Sequence, residues 1–352
     1  MLQGLEIYQG KKILVTGHTG FKGTWLSTIL TLAGAEVFGL SLPPEVDSLY
    51  TRVKKQVSSE EFLDIRNREK VNAYFQENTF DGVFHLAAQP LVRLSYLQPV
   101  ETFDTNLMGT AHLLDGITQN SAAEWVVVIT TDKVYEYSGR EIALHEDEKL
   151  GGSDPYSASK VAVEHLLVSW RNVISFVNSD LKLTSVRAGN VIGGGDNALD
   201  RLLPDIIRNF KAGHKVTIRN PSFVRPWQHV LDPLNGYLLI GKRFMAGESV
   251  SNSYNFGPSE ESKLTVQDIA NIAAEIWPGN PGVQIHNEET QIHETPFLWL
   301  ASEHARAELG WQNKFEAKEA VKLTLDWEID SQVNSPNLVL ENQVKSYFGE
   351  IE

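Results

Sequence analysis

Lys12-Ile13-Leu14-Val15-Thr16-Gly17-His18-Thr19-Gly20-Phe21-Lys22-Gly23 decides how the rest of the chain is read. The first five residues, with an apolar β-branched core, have the pattern of a buried strand. Glycines at 17, 20 and 23 follow at once, and Trp25, Leu26, Ile29, Leu30 and Leu32 then recur at helical spacing. A glycine-rich turn between a first strand and a first helix brings backbone N–H groups and the positive end of the helix dipole up to a pyrophosphate. Glycine permits both the tight turn and the close helix–strand contact. Glu36-Val37-Phe38-Gly39-Leu40 reads as the second strand of the unit. The fold class is therefore α/β, a Rossmann-type doubly wound parallel sheet.

In such folds an acid at the end of the second strand holds the ribose of NAD, or a nearby Arg holds the extra phosphate of NADP. Here that position is Ser41, followed by Leu42-Pro43-Pro44, and it leaves the choice between the two open. Phe62-Leu63-Asp64-Ile65-Arg66 reads as another strand, with Asn67 as cap of the next helix. For Asp64 there are two readings, an adenine contact or the closing of a turn. Asp81-Gly82-Val83-Phe84-His85-Leu86-Ala87-Ala88-Gln89-Pro90 is a fourth strand opening into small residues against which a cofactor can lie, and His85 reads as a satisfied core histidine. A long helix pattern over 99–117 carries Asn106, either as a brace or as a hydrogen bond that positions a catalytic helix or a water.

Trp125-Val126-Val127-Val128-Ile129-Thr130 reads as a buried parallel strand and runs into Thr131-Asp132-Lys133. Chemistry in doubly wound folds sits just beyond the carboxyl ends of such strands. Tyr156 and Lys160 follow Asp154-Pro155 in the first turn of a helix pattern. Four residues apart, they share a face. An ammonium beside a phenol favours phenolate, which makes the Tyr a proton acceptor near neutral pH.

Of 352 residues, 42% are hydrophobic and 22% charged, the composition of a soluble globular protein. The net charge of −14 argues against a nucleic-acid or anionic-membrane surface. There is no cysteine, so disulfides and thiolate chemistry are excluded. With no bilayer-length apolar run and no signal-peptide layout at the N-terminus, a cytoplasmic location is expected. His286, His293 and His304 have no convincing metal-ligand spacing.

Beyond Leu183-Thr184-Ser185-Val186-Arg187 comes a loop rich in glycine, Ala188-Gly189-Asn190-Val191-Ile192-Gly193-Gly194-Gly195-Asp196, a natural place for a substrate contact. From about residue 190 the strand–helix alternation loosens. The expected organisation is a dinucleotide-binding domain over 1–190 with later segments returning to it, a smaller lobe over 191–330 that is mainly substrate-binding, and a polar tail over 331–352 that reads as an arm or as partly disordered. Helices are expected at Val266–Ile276, 302–309 and 317–329. Arg201, Arg208, Arg219 and Arg225 lie in an otherwise acidic chain and suggest a diphosphate clamp, with Arg208 better read as a solvated surface charge.

Gly17-x-x-Gly20-x-x-Gly23, Leu86-Ala87-Ala88, Thr131 and Tyr156-x-x-x-Lys160 together resemble the extended short-chain dehydrogenase/reductase superfamily over nearly the whole chain. The stretches 17–23, 87–96, 187–196 and 225–230 resemble its nucleotide-sugar 4,6-dehydratase branch, and Asp132-Lys133 resembles the group acting on CDP-glucose, where many other dehydratases have Asp-Glu. The resemblance implies NAD as cofactor, a nucleotide sugar as substrate, and a homodimer or homotetramer built through the helices near 99–117 and 156–176. It implies catalysis by Thr131, Asp132, Lys133, Tyr156 and Lys160. Cofactor contacts would come from residues 17–23, Ser41, Asp64, Ile65, Leu86, Ala87, Ala88, Gln89, Asn106, Thr130, Tyr156 and Lys160. Substrate contacts would come from Gln89, Arg93, Asn190, Arg201, Arg219, Arg225 and Asn255.

A Lys base must be partly neutral, through burial or a neighbouring cation, and an Asp acid must hold a proton. One proton shared between Asp132 and Lys133 would satisfy both. A nucleotide-sugar 4-epimerase would share every motif except the need for Asp132-Lys133, since it removes no water. A non-catalytic dinucleotide-sensing module would have no use for the intact Thr–Tyr–Lys set. A dehydratase of a dTDP- or UDP-linked sugar and an NADP-dependent reductase complete the alternatives.

Overall fold

The computed structural model describes residues 2–53, 56–137, 139–285 and 295–350, so His286 and His293 lie outside the described residues. A seven-stranded sheet forms its centre. The strands are β1 (Lys12–Thr16), β2 (Glu36–Ser41), β3 (Ser59–Phe62), β4 (Gly82–His85), β5 (Trp125–Ile129), β6 (Lys182–Ala188) and, from far along the chain, Ser253–Phe256. Across the sheet they run β3-β2-β1-β4-β5-β6 and then Ser253–Phe256, every ladder parallel. The chain reverses direction across the sheet between β1 and β4, where a doubly wound fold opens its crevice.

Side chains alternate across the sheet as the pleat requires. Ile13 and Val15 of β1 face α1 (Phe21–Leu32) and the helix Leu231–Met245. Leu14 faces the other way, onto Val71 and Phe75, Leu113 and Ile117, and Val163 and Leu167 from three helices. With helices on both faces the strands are buried throughout, which is why β5 reads as an unbroken apolar run. A separate apolar cluster joins the helices Leu202–Lys211, Val266–Ile276 and Ala317–Asp330, with Trp227 and Trp277, into a smaller body beyond the carboxyl ends of the strands.

Three elements differ from the sequence reading. The third strand ends at Phe62 instead of covering 62–66, because its partner β2 ends at Ser41 before Pro43-Pro44 and the last ladder bond is Leu63 N–H to the Ser41 carbonyl. Leu63 and Ile65 are apolar because they bury in the following loop. The expected helix over 99–117 is divided into Pro99–Phe103, a widened π-type turn Asp104–Met108, and Gly109–Asn120. The widened turn carries the buried Asn106. The polar tail is no arm: Pro336–Phe348 is a helix whose Leu340, Val344 and Tyr347 are buried in the main core. Its apolar stripe, at i, i+4 and i+7, is narrow enough to leave the segment polar on average.

Candidate active site

Gly17 has φ +71°, and a Cβ there would come within 2.8 Å of the Ala87 nitrogen. A Cβ at Gly23 would meet the Gly17 carbonyl oxygen at 2.1 Å. The turn is thus pressed against both α1 and the end of β4, leaving a cradle of backbone that suits a pyrophosphate at the N-terminus of α1. Thr16 supports it: its hydroxyl accepts from Ala87 N–H at 3.2 Å and pairs with His85 at 2.7 Å. His85, bonded also to Thr110 at 3.0 Å, is the satisfied core histidine expected.

The neighbouring residues take distinct places. Thr19 and Ser41 join their hydroxyls at 2.5 Å at the end of β2. His18 is fully buried, stacked against Phe62 and paired with Glu60 at 3.2 Å. Asp64 grips the Arg66 guanidinium at 2.6 Å and accepts Arg66 N–H at 3.0 Å, so here it closes a turn. Ile65 is core, packed over Gly109. Phe21 lies beside Gly193 of the glycine-rich loop.

β5 delivers Thr131, whose backbone remains extended and caps a short turn, Asp132–Val134. The helix Pro155–Phe176 starts at Asp154, whose carboxylate accepts Ser157 N–H at 2.9 Å. Its first turn brings Tyr156 to the Thr131 hydroxyl, to which it is hydrogen-bonded, and Lys160 to the Ile129 carbonyl at 3.0 Å. Thr131 in turn donates to Asp132 at 3.0 Å. Asn106 braces the arrangement, accepting Gln89 N–H at 2.8 Å and donating to Ser159 at 2.9 Å.

Burial dominates the electrostatics. It pushes the Tyr156 phenol up to about 12, against the Thr131 hydrogen bond. The fall expected from Lys160 is not seen, because that ammonium turns to the Ile129 carbonyl; Lys160 itself is brought down to about 8 by burial, with Glu164 opposing. Burial raises the Asp132 carboxyl above its usual range, and Lys133 is the largest influence the other way. Lys22 is lowered to about 8, by burial first and then by Arg201. It also feels Asp132 and Lys160, so the first turn of α1 faces the catalytic group.

The expected substrate arginines divide into two pairs. Arg201 acts electrostatically on Tyr156, and Arg225 on Asp132, so both face the chemistry. Arg93 and Arg219 share Asp200, at 3.3 and 3.6 Å. Asn190 is half-buried in the loop beyond β6. Three expected contacts are otherwise engaged. Asn255 is fully buried, accepting from Tyr135 at 2.8 Å and donating to the Leu144 carbonyl at 2.8 Å, and so is not exposed to a substrate. Thr130 gives its hydroxyl to Glu164 at 2.6 Å instead of to a cofactor. The Gln89 amide donates to the Leu91 carbonyl in its own loop and to Thr102 of the helix Pro99–Phe103 at 2.9 Å. The sequence reading missed Glu164, Arg187 and Tyr135. Its available signal was a carboxylate at i+4 from Lys160 inside an otherwise apolar helix face.

The family model described as GDP-mannose 4,6 dehydratase matches residues 14–324. The CDP-glucose 4,6-dehydratase of Salmonella typhimurium is 44% identical over 331 residues, covering 92% of this chain and 91% of that protein. The dTDP-glucose 4,6-dehydratase of Haemophilus influenzae is 26% identical, covering 90% and 97% respectively. Among solved structures, a Thermus thermophilus UDP-glucose 4-epimerase in complex with NAD superposes with a TM-score of 0.75 at 26% identity, covering 90% of this chain and 98% of that one.

Proposed function

The chain belongs to the GDP-mannose 4,6 dehydratase family, and from that premise we propose that it converts CDP-D-glucose to CDP-4-keto-6-deoxy-D-glucose and water. It is an NAD-dependent hydro-lyase of the extended short-chain dehydrogenase/reductase type. The observation that carries the reading is the pair Asp132-Lys133, held next to Thr131 and Tyr156 with the carboxyl buried and its proton affinity raised. An enzyme that only inverts C4 has no use for that pair.

The backbone cradle of Gly17, Gly20 and Gly23 and the small residues Ala87 and Ala88 fit a dinucleotide, and Lys22 and Ser41 stand at its two ends. When bound, NAD supplies the acceptor for the C4 hydride and the donor that returns it to C6. The chain's own residues do the rest. Tyr156, hydrogen-bonded to Thr131, takes the O4 proton as the phenolate, the form that burial opposes. The resulting 4-ketone acidifies C5; Lys133 removes that proton and gives it back to C5 once hydride has returned to C6. Asp132 protonates the departing C6 hydroxyl, and water leaves. Burial raises the proton affinity of Asp132, the direction this role needs.

Arg201 and Arg225 clamp the diphosphate, assisted by Arg93, Arg219 and Asn190. Residues 191–330 mainly form the substrate lobe. The copies associate through the helices over 99–108 and Pro155–Phe176, which leave Val100, Met108, Val168 and Phe176 exposed. Among the described residues no helix is long and apolar enough to cross a membrane, and we assign the protein to the cytoplasm. Mass spectrometry of CDP-, dTDP- and UDP-glucose after incubation with enzyme and NAD tests the reading. Loss of one water from CDP-glucose alone, with no net NADH, is expected. Loss from another nucleotide sugar alone would overturn the substrate, and unchanged mass in all three the activity.

A further inference from the structure

Glu164 follows Lys160 by one helical turn and is 5% exposed. Its carboxylate accepts four hydrogen bonds, from Thr130 Oγ1 at 2.6 Å, Ser185 Oγ at 2.9 Å, and Arg187 Nε and Nη2 at 3.0 and 2.9 Å. Arg187 also donates through Nη1 to the Tyr135 hydroxyl at 2.7 Å and the Glu146 carbonyl at 3.0 Å. Tyr135 passes the chain on to Asn255. One buried ion pair therefore ties the catalytic helix to β5, β6, the loop after β5 and the strand Ser253–Phe256.

A buried ion pair is a poor source of stability, because desolvation offsets the attraction and an apolar pair of equal volume fills the space as well. What it supplies is a fixed geometry. Thr130 stands between Ile129, whose carbonyl holds the Lys160 ammonium, and Thr131, whose hydroxyl holds Tyr156. We propose that Glu164, one helical turn along from Lys160, is a positioning residue for the Tyr156–Lys160 pair: by holding the Thr130 hydroxyl it sets the end of β5. This rests on the proton-transfer roles proposed above. The charged or titratable groups around Lys160 and Glu164 are Arg187 on β6, Arg171 on the same helix, Lys22 on α1 and His85 on β4, while Asp132, Asp154 and Arg201 act on Tyr156. Glu164 is the carboxylate that acts on Lys160, supporting the ammonium against burial.

Glu164→Gln, Glu164→Asp and Thr130→Val test it, each compared with the unmodified enzyme for kcat, KM and the pH profile with CDP-glucose. Glu164→Gln is expected to lower kcat about ten-fold or more with KM within about two-fold. Its alkaline limb should move to lower pH, because Lys160 then loses its proton more readily. Glu164→Asp should restore the limb. Thr130→Val, which leaves the ion pair whole, should lower kcat without moving the limb, and it carries the test if Glu164→Gln does not fold. Folded Glu164→Gln with parental kcat and limb, or Thr130→Val with parental kcat, overturns the positioning role. No turnover by the unmodified enzyme overturns the functional reading instead.

Discussion

Lys133 sits where a second carboxylate would divide the acid and base roles with Asp132, and one substitution separates the two half-reactions. Lys133→Met should still bind cofactor and sugar nucleotide but lose exchange of the C5 proton. Deuterium uptake into the sugar in heavy water, read by mass spectrometry, is expected to fall by about two orders of magnitude or more. Full retained exchange would mean that Lys133 is not the base. At this scale the sequence is legible where roles depend on short spacing. Tyr156 and Lys160 lie one helical turn apart in the same helix, and Thr131 follows directly from a strand end. It is illegible where the deciding partner arrives from elsewhere. Nothing near residue 255 in the sequence reveals that Tyr135 and Leu144 use its amide, and nothing next to Thr130 reveals Glu164.

At the scale of elements, Asp232 joins the helix Leu231–Met245 to the C-terminal helix. Its carboxylate accepts from the Tyr347 hydroxyl at 2.9 Å and Lys314 N–H at 2.8 Å. Burial raises its pKa from 3.8 to about 6. Between those values the folded chain keeps a proton that the unfolded chain has lost, so this group's contribution falls as pH rises from about 4 to 6 and stays low above. Asp232→Asn removes that dependence. Denaturant titrations at pH 4.5 and 7.5 should show the variant gaining on the parent by on the order of 2 kcal/mol between the two. An unchanged difference would show that Asp232 is not titrating there. The docked C-terminal helix was hidden in the sequence because four buried residues in a polar segment make a faint stripe. The parallel sheet was visible because burial on both faces demands apolar runs. β3 lies between the cases: it is a largely exposed edge strand, so the apolar signal falls on the loop beside it.

For the whole molecule, a chain carrying −14 charges repels its copies at long range, so association needs a concentrated apolar face. Val100 and Phe176 are exposed on the helices proposed to pair. Val100→Glu should shift light-scattering mass from dimer or tetramer toward monomer with the far-ultraviolet dichroism unchanged. An unaltered mass would place the contact elsewhere. The sheet topology has a separate temporal consequence. The strand that flanks β6 begins at Ser253, and Asn255 on it completes the bonding that starts at Glu164. During synthesis the dinucleotide cradle of residues 17–23 and the Thr131–Tyr156 pair can form long before that strand leaves the ribosome, since domains gather from the N-terminus as the chain is made. The bonding that fixes the catalytic helix is thus completed late in synthesis, after the cradle and the Thr131–Tyr156 segment have been made.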